Sequence, residues 1–434
     1  MKRGFYTIMS AQFCSSLADQ ALFVAAVELL RTAGAAEWQQ AALVPIFAIF
    51  YVVLAPLVGA FADALPKGKV MFISNAIKVV GCLMMLFGGH PLVAYAVVGL
   101  GAAAYSPAKY GILTELLPAS QLVKANGWIE GLTIASIILG VVLGGQLVGH
   151  TVSSRLLAFD FPFIDTGVDT PPAAAISVLI GIYMLAAWFN TRIPHTGVEM
   201  RPLRSNPSHG LVRNLLGLLP DFWSCNARLW RDKLGQISLA TTTLFWGASA
   251  NLKYIVLPWA ALALGYDTTQ ATALTGVLAI GTAVGAVAAS ARMRLDMATQ
   301  VIPLGIGMGL LVIAMNFIHN VWVAIPFLIM LGGLGGFLVV PMNALLQHRG
   351  HNLMGSGRSI AVQNFNEQAC ILLLGVFYSA CTGVGLSAFG AITAFGLVVA
   401  GFMGLIRAWH RNNLATCPEE VEHLLQIARS DKHH

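Results

Sequence analysis

Runs of mostly apolar residues recur along the chain, each close to the roughly 20 needed to cross about 30 Å of hydrocarbon as a helix. They fall near 7–30, 40–62, 70–89, 91–116, 126–149, 173–191, 236–261, 270–289, 299–318, 321–346, 359–382 and 384–408, which predicts twelve spans. Glycine and proline inside several of them would weaken a soluble helix but are tolerated where neighbouring helices re-satisfy the backbone. A long polar interval at 193–235 divides the spans six and six. Its stretch LVRNLLGLLPDFW is amphipathic, and is either a helix lying along the inner membrane surface or an ordinary linker helix. The basic N-terminus runs apolar for longer than a signal sequence and lacks an A-x-A exit, so the first span is expected to be retained.

Composition agrees with lipid as the solvent. The chain has 434 residues, 57% hydrophobic and 10% charged, with mean hydropathy +0.74, where soluble proteins carry about 25% charged residues. Its 44 glycines suit helices that approach one another closely. The net charge of +6 does not indicate nucleic acid, because the basic residues sit between spans as an orientation signal. With the N-terminus cytoplasmic, the inner segments carry Lys2, Arg3, Lys67, Lys69, Lys124, Arg201, Arg204, Arg213, Arg228, Arg231, Lys233, Arg292, Arg294, Arg349, Arg358, Arg411, Arg429 and Lys432. The opposite loops hold Arg31 and Arg155 against Glu37, Asp160, Asp165, Asp169 and Asp267, so both termini are expected in the cytoplasm. Cys14, Cys82, Cys225, Cys370, Cys381 and Cys417 are scattered and suggest neither a disulfide framework nor a thiolate metal site.

The halves repeat. FCSSLADQ from 13 matches FWGASANLK from 245, and VGAFAD from 58 matches VGAVAA from 284. AAAYSPAK from 102 matches GFLVVPMN from 336, which sets Pro107 on Pro341 and Lys109 on Asn343. The expected architecture is an all-α integral membrane protein of 12 transmembrane helices in two pseudo-symmetric six-helix bundles around a central cavity, the plan of a secondary transporter. Residues 1–192 and 236–408 would form the bundles, 193–235 a cytoplasmic linker and 409–434 a cytoplasmic tail. Asp63 at the inner end of span two, with Lys67 and Lys69 before span three, is either a cytoplasmic latch between the two helices or a capped helix end. The second half has Ala289 where Asp63 falls.

Charges within spans are costly and are expected to face the protein interior. They are Asp19, Lys78, Lys109, Glu130, Lys253 and Glu367, with Glu28 and Glu115 nearer span ends. Asp19 and Lys253 occupy near-equivalent places in spans one and seven, and are read either as a ligand or gating pair or as a structural ion pair. Asn75 and Lys78 share a face of span three. Lys109 follows Pro107, where a bend is expected, and either meets an anionic group such as phosphate or snorkels to the inner interface. In span eleven, Gln363, Asn364, Glu367 and Gln368 crowd an otherwise apolar helix. There is no G-x-x-x-x-G-K-[ST], H-E-x-x-H or G-x-S-x-G, and none of the 11 histidines has an aspartate five residues on. ATP hydrolysis and lipid acyl transfer within the chain are therefore disfavoured, no metal or cofactor is implied, and a channel is disfavoured by the repeat.

The segments AQFCSSLADQALFVA, FADALPKGKVM, GLGAAAYSPAKYGILTELLPASQLVKANG, TLFWGASANLKYIVL, VVPMNALLQHRG and IAVQNFNEQA, in this order, resemble the major facilitator superfamily and within it the bacterial lysophospholipid transporters. The resemblance implies flipping of lysophosphatidylethanolamine and lysophosphatidylglycerol from the outer to the inner leaflet of the inner membrane, where a separate acyltransferase restores the second chain. It assigns the polar site or gate to Asp19, Asn75, Lys78, Lys109, Lys253 and Glu367, to which the matched position Asn343 and its span-eleven neighbour Asn364 add. Lys253 stands where relatives carry arginine, keeping the charge but losing the bidentate fork. The chain is expected to act as a monomer among membrane lipids. The competing reading is an exporter of drugs or other amphiphiles with the same fold. Residues 150–172 form a loop with no function assigned.

Overall fold

The computed structural model describes residues 3–35, 37–158, 167–203, 210–266 and 268–430. Lys2, Asp160, Asp165, Arg204, Asp267 and Lys432, used above for orientation, lie outside the described residues, as do the side chains of Arg3, Glu37 and Lys253. The fold is all-α. In chain order the helices are α1 (Arg3–Thr32), α2 (Glu37–Val53), α3 (Ala55–Ala64), α4 (Lys67–Leu86), α5 (Pro91–Leu116), α6 (Ala119–Val148), α7 (His150–Leu157), α8 (Pro171–Thr191), α9 (Leu211–Leu216), α10 (Leu218–Arg231), α11 (Gly235–Leu264), α12 (Thr268–Arg292), α13 (Ile302–Ala314), α14 (Val321–Met354), α15 (Ser356–Gly383), α16 (Ala388–Thr416) and α17 (Pro418–Arg429).

Among the described residues, 10 helices are long and apolar enough to cross a membrane, or 11 if a bent pair counts as one span. That pair is α2 and α3, which meet at 64°. The cause is local: Pro56 lies at the start of α3, where it cannot donate the hydrogen bond that would carry α2 onward. The apolar part of α11 is counted only as a short helix at Ile255–Leu264, beyond the undescribed side chains of 253 and 254. α5 continues through Pro107 as one helix. Large apolar side chains stay exposed along the spans, Leu373 at 70% and Val376 at 68%, as expected where the surrounding solvent is acyl chain.

Two compact units emerge, residues 1–116 with 135–219, and residues 117–134 with 220–434. In the first, α1 and α4 both pack on α8, and α4 packs on α5. Its core gathers Leu22, Leu30, Cys82, Val98, Leu179 and Tyr183. In the second, α12 and α14 cross most closely. A Cβ added at Gly285 would collide with the carbonyl of Gly333, and one at Gly336 with that of Thr282, so small residues are what allow these backbones to touch.

The interval after α8 divides its allegiance. Thr196 donates to Glu115 Oε2 at 2.8 Å and the Arg201 amide donates to Asp63 O at 3.0 Å, both within the first unit. α10 buries Phe222, Cys225 and Leu229 and exposes Trp223. Within the second unit, Arg358 bonds Asp221 at 2.8 Å and Trp230 Nε1 donates to Asn366 Oδ1 at 3.3 Å. Burial pushes the Cys225 thiol up, Asp221 adds to the rise, and Arg228 opposes it.

Candidate functional site

The densest polar cluster of the first unit lies where α1, α4, α5 and α8 come together. Lys78 is 1% exposed, and its Nζ donates to Asp19 Oδ2 at 2.8 Å and to Ser15 Oγ at 3.0 Å. The same ammonium sits 5.1 Å from the Tyr105 ring centre and 5.5 Å from that of Tyr183, close enough for cation–π attraction. Tyr183 donates its hydroxyl to Asp19 Oδ1 at 2.6 Å, so both carboxylate oxygens are engaged. Ser15 Oγ donates to Asn75 Oδ1 at 2.8 Å, while Asn75 Nδ2 and Tyr105 OH are buried with no hydrogen-bond partner.

Local geometry explains the convergence. Ser15 and Asp19 are four apart on α1, and Asn75 and Lys78 three apart on α4, so each pair shares a helix face. A Cβ at Gly101 of α5 would lie 2.7 Å from Lys78 Cγ, so the lysine stem runs directly over that glycine. Lys78 is 11 residues beyond Lys67, about 16 Å along the axis. That puts the cluster near half the hydrocarbon thickness, where an unpaired charge is most costly. Asp19 therefore pairs with Lys78 of its own unit. The arrangement holds one buried cation and one carboxylate in contact, the carboxylate keeping 16% side-chain exposure.

Lys109, one turn beyond Tyr105 on α5, is buried, with Nζ 4.5 Å from the Tyr110 ring centre. At the α3–α4 corner, Lys67 Nζ bonds Asp63 Oδ1 at 3.0 Å and Glu115 Oε1 at 3.2 Å and donates to Ala62 O at 2.5 Å. Lys67 thus joins the ends of α3, α4 and α5, and Thr196 joins the following segment through Glu115. Lys69 is exposed, on the other side of the helix.

The second unit sets an amide against Glu367, where the first pairs Asp19 with Lys78, and it too keeps a buried ion pair, Arg349 with Asp232. Gln363 Nε2 donates to Asn343 Oδ1 at 3.0 Å and to Glu367 Oε1 at 2.7 Å, and Gln363 Oε1 is buried without a partner. Asn364, next in sequence, is half-buried. Nearby in the fold, Asn126 and Gln347 exchange two hydrogen bonds at 2.9 Å each. Arg349 reaches Asp232 through Nε at 3.2 Å and Nη2 at 2.6 Å, and Asp232 also accepts from the Gly235 amide at 2.7 Å at the start of α11. Ala289, opposite Asp63 in the repeat, is buried.

Sequence reasoning did not single out Ser15, Tyr105, Tyr183 or Gln347. Ser15 was within reach, four residues before Asp19 in CSSLAD; Tyr183 stands in an apolar run with nothing to mark it. Glu115 was noted only as lying near a span end.

Comparison with known proteins sets this geometry in a family. Residues 8–366 match the Major Facilitator Superfamily. The chain is 40% identical over 379 residues to the lysophospholipid transporter LplT of Yersinia enterocolitica, covering 87% of each. It is 37% identical over 412 residues to that of Escherichia coli, covering 95% of this chain and 97% of the other. Among solved structures it resembles the human organic anion transporter MFSD10 (TM-score 0.67, 15% identity, 94% of this chain and 100% of that one). It likewise resembles a bacterial homologue of the iron transporter ferroportin (TM-score 0.67, 15% identity, 95% and 99%). These structural likenesses speak to the fold alone. Taken with the sequence relatives, they place the chain in the major facilitator superfamily, and it belongs there to the lysophospholipid transporter LplT family.

Proposed function

We propose that this chain carries lysophospholipids, chiefly lysophosphatidylethanolamine and lysophosphatidylglycerol, from the outer to the inner leaflet of a bacterial inner membrane by alternating access. The observation that carries the reading is identity of 37–40% to LplT proteins over 87–95% of the chain. The product is then re-acylated by a separate acyltransferase. The chain acts as a monomer with both termini cytoplasmic and twelve spans in two six-helix bundles, residues 1–192 and 236–408, joined by the 193–235 linker and followed by the 409–434 tail.

The paired charges of Asp19 and Lys78 suit a zwitterionic headgroup. Its phosphate takes the Lys78 ammonium and its ammonium takes the Asp19 carboxylate, so each buried charge changes partner without being left bare. Lysophosphatidylglycerol lacks the cation and uses Lys78 alone, leaving Asp19 with Tyr183. Asn75 and Lys109 extend the polar site within the first unit, Lys253, Asn343, Asn364 and Glu367 supply that of the second, and Asp63 with Lys67 forms the cytoplasmic gate, flanked by Lys69. Exposed apolar flanks leave the acyl chain in lipid-like surroundings.

Headgroup-resolved translocation in proteoliposomes, with and without ion gradients, tests the reading. Inward movement of labelled lysophosphatidylethanolamine at several times the empty-vesicle rate is expected. Outward-only movement of drugs with no lysolipid flux would favour an exporter and overturn it.

A further inference from the structure

The first unit contains a cavity of about 300 Å³, apart from the Asp19–Lys78 cluster and bordered by Lys67 of the α3–α4 corner. It opens between the N-terminal turn of α4 and the chain leaving α8. At its wall, Asn190 is 1% exposed, and neither its amide nitrogen nor its amide oxygen has a hydrogen-bond partner. A buried amide left wholly unsatisfied costs free energy unless something occupies the space in front of it.

The adjoining wall, formed by the start of α4, suits a negative charge. α4 is 20 residues long and starts behind Pro66 with no side-chain cap. The amides of Lys69 and Val70 bond back to Pro66 O, whereas those of Lys67 and Gly68 have no backbone partner among the described residues. Open N–H groups at the positive end of a helix attract anions. A Cβ at Gly68 would stand 2.9 Å from Asn190 O, so the bare helix end lies directly against the Asn190 turn. Lys69 and His195 border the cavity from exposed positions, and Lys69 has no ion-pair partner among the described residues. Lys67 adds no free charge, because Asp63 and Glu115 already share it.

The cavity also adjoins lipid-facing surface. Phe72, on its rim, is 41% exposed, and Arg192 lies 5.0 Å from the ring centre of the exposed Trp188. Aromatic and basic residues together mark the headgroup level of a membrane protein.

We propose that this cavity is a binding site for a phosphate ester, with the phosphate on the α4 amides and Lys69, and the ester's oxygens on Asn190 and His195. The bound group bridges α4 to the segment that carries Thr196 onto Glu115, and so steadies the latch. The phosphate can belong to a lipid headgroup or to a soluble ester.

Full-length protein in dodecyl maltoside, a phosphate-free detergent, separates these sources. Its thermal stability is followed while glycerol 3-phosphate or dihexanoylphosphatidylglycerol is titrated at constant ionic strength, against sodium chloride and dihexanoylglycerol as controls. Saturable stabilisation by either phosphate compound is expected, by both if the phosphate suffices and by the lipid alone if the acyl chains are needed. Lys69→Gln should raise the Kd about tenfold, the worth of one charge-assisted hydrogen bond, and His195→Ala and Asn190→Leu should each weaken binding. Lys69 and His195 are exposed, so their variants decide the matter even if Asn190→Leu does not fold. No saturable effect in the unmodified protein, or binding that ignores Lys69→Gln and His195→Ala, overturns the proposal. So does binding that responds to Lys78→Met instead, which would put the ligand in the Asp19–Lys78 cluster. The readout is independent of lysolipid transport, so either reading can fail alone.

Discussion

Replacing Lys78 by methionine keeps most of the side-chain volume and removes only the ammonium. The loss strips Asp19 of its 2.8 Å partner and leaves its carboxylate with the Tyr183 hydroxyl at 2.6 Å. Breaking a buried pair from one side costs about 3–5 kcal/mol. Asp19 keeps 16% side-chain exposure and one strong donor, so the lower end, about 3 kcal/mol, is expected. Asp19→Asn should cost a similar amount, because Lys78 is then a buried cation with only Ser15 and two aromatic rings. The double variant has no charge to strand and should lose only about 1 kcal/mol in total, not the sum of about 6, which is a coupling of about 5 kcal/mol. Equilibrium unfolding in mixed dodecyl sulfate and maltoside micelles measures all three. Additive losses in the double variant would refute the pairing. Transport then separates structure from function: the double variant should be stable yet move lysophosphatidylethanolamine at least tenfold more slowly. Recovery of transport along with stability would reduce the pair to a structural clasp.

At the α3–α4 corner, Lys67→Met should lower folded yield and melting temperature markedly by leaving Asp63 and Glu115 as two neighbouring buried carboxylates, while Lys69→Gln should leave the melting temperature in phosphate-free buffer within about 2 °C; thermal scans of purified protein compare them. Arg349→Ala should destabilise by about 3–5 kcal/mol, since Asp232 then stays buried without its bidentate partner; Asp232→Asn, which keeps an acceptor for the Gly235 amide, should cost less in the same unfolding assay. Gly285→Leu should abolish folded protein by forcing α12 off α14, whereas Gly276→Leu, with open space around it, should express normally; size-exclusion profiles of fluorescent fusions would show both.

Of the twelve spans expected, ten or eleven are found among the described residues; they were legible because hydrocarbon thickness sets their length, and the polar positions because any charge among such residues stands out. What periodicity could supply was which residues share a face of one helix, as with Asn75 and Lys78. Rotation of one helix against another was not available from it. Asp19 was weighed with Lys253 by repeat position, but the packing of α1 and α4 on α8 turns it towards Lys78 and Tyr183. The same limit separates Lys67 from Lys69. Two residues apart, they point about 200° apart around α4, and only the fit of Gly68 against the α8 turn decides that Lys67 faces inward. The break between α2 and α3 was hidden for another reason: Pro56 could equally have sat in a kinked continuous span.

Both units hold a buried ion pair at a span end, Lys67 with Asp63 and Glu115 in the first and Arg349 with Asp232 in the second, and they differ further along the spans. In the first, Lys78 meets Asp19, so opposite charges already touch within one unit. In the second, Glu367 is met by the amide of Gln363, itself held by Asn343. An amide can rotate to offer either a donor or an acceptor, whereas an ion pair can only trade one charge for another. Under the proposed function, a headgroup bearing phosphate exchanges partners at Lys78 of the first unit. On that proposal Lys78 sets the requirement for phosphate, and amide changes at Gln363 or Asn343 should shift the ratio of lysophosphatidylethanolamine to lysophosphatidylglycerol flux while leaving phosphate-free amphiphiles excluded.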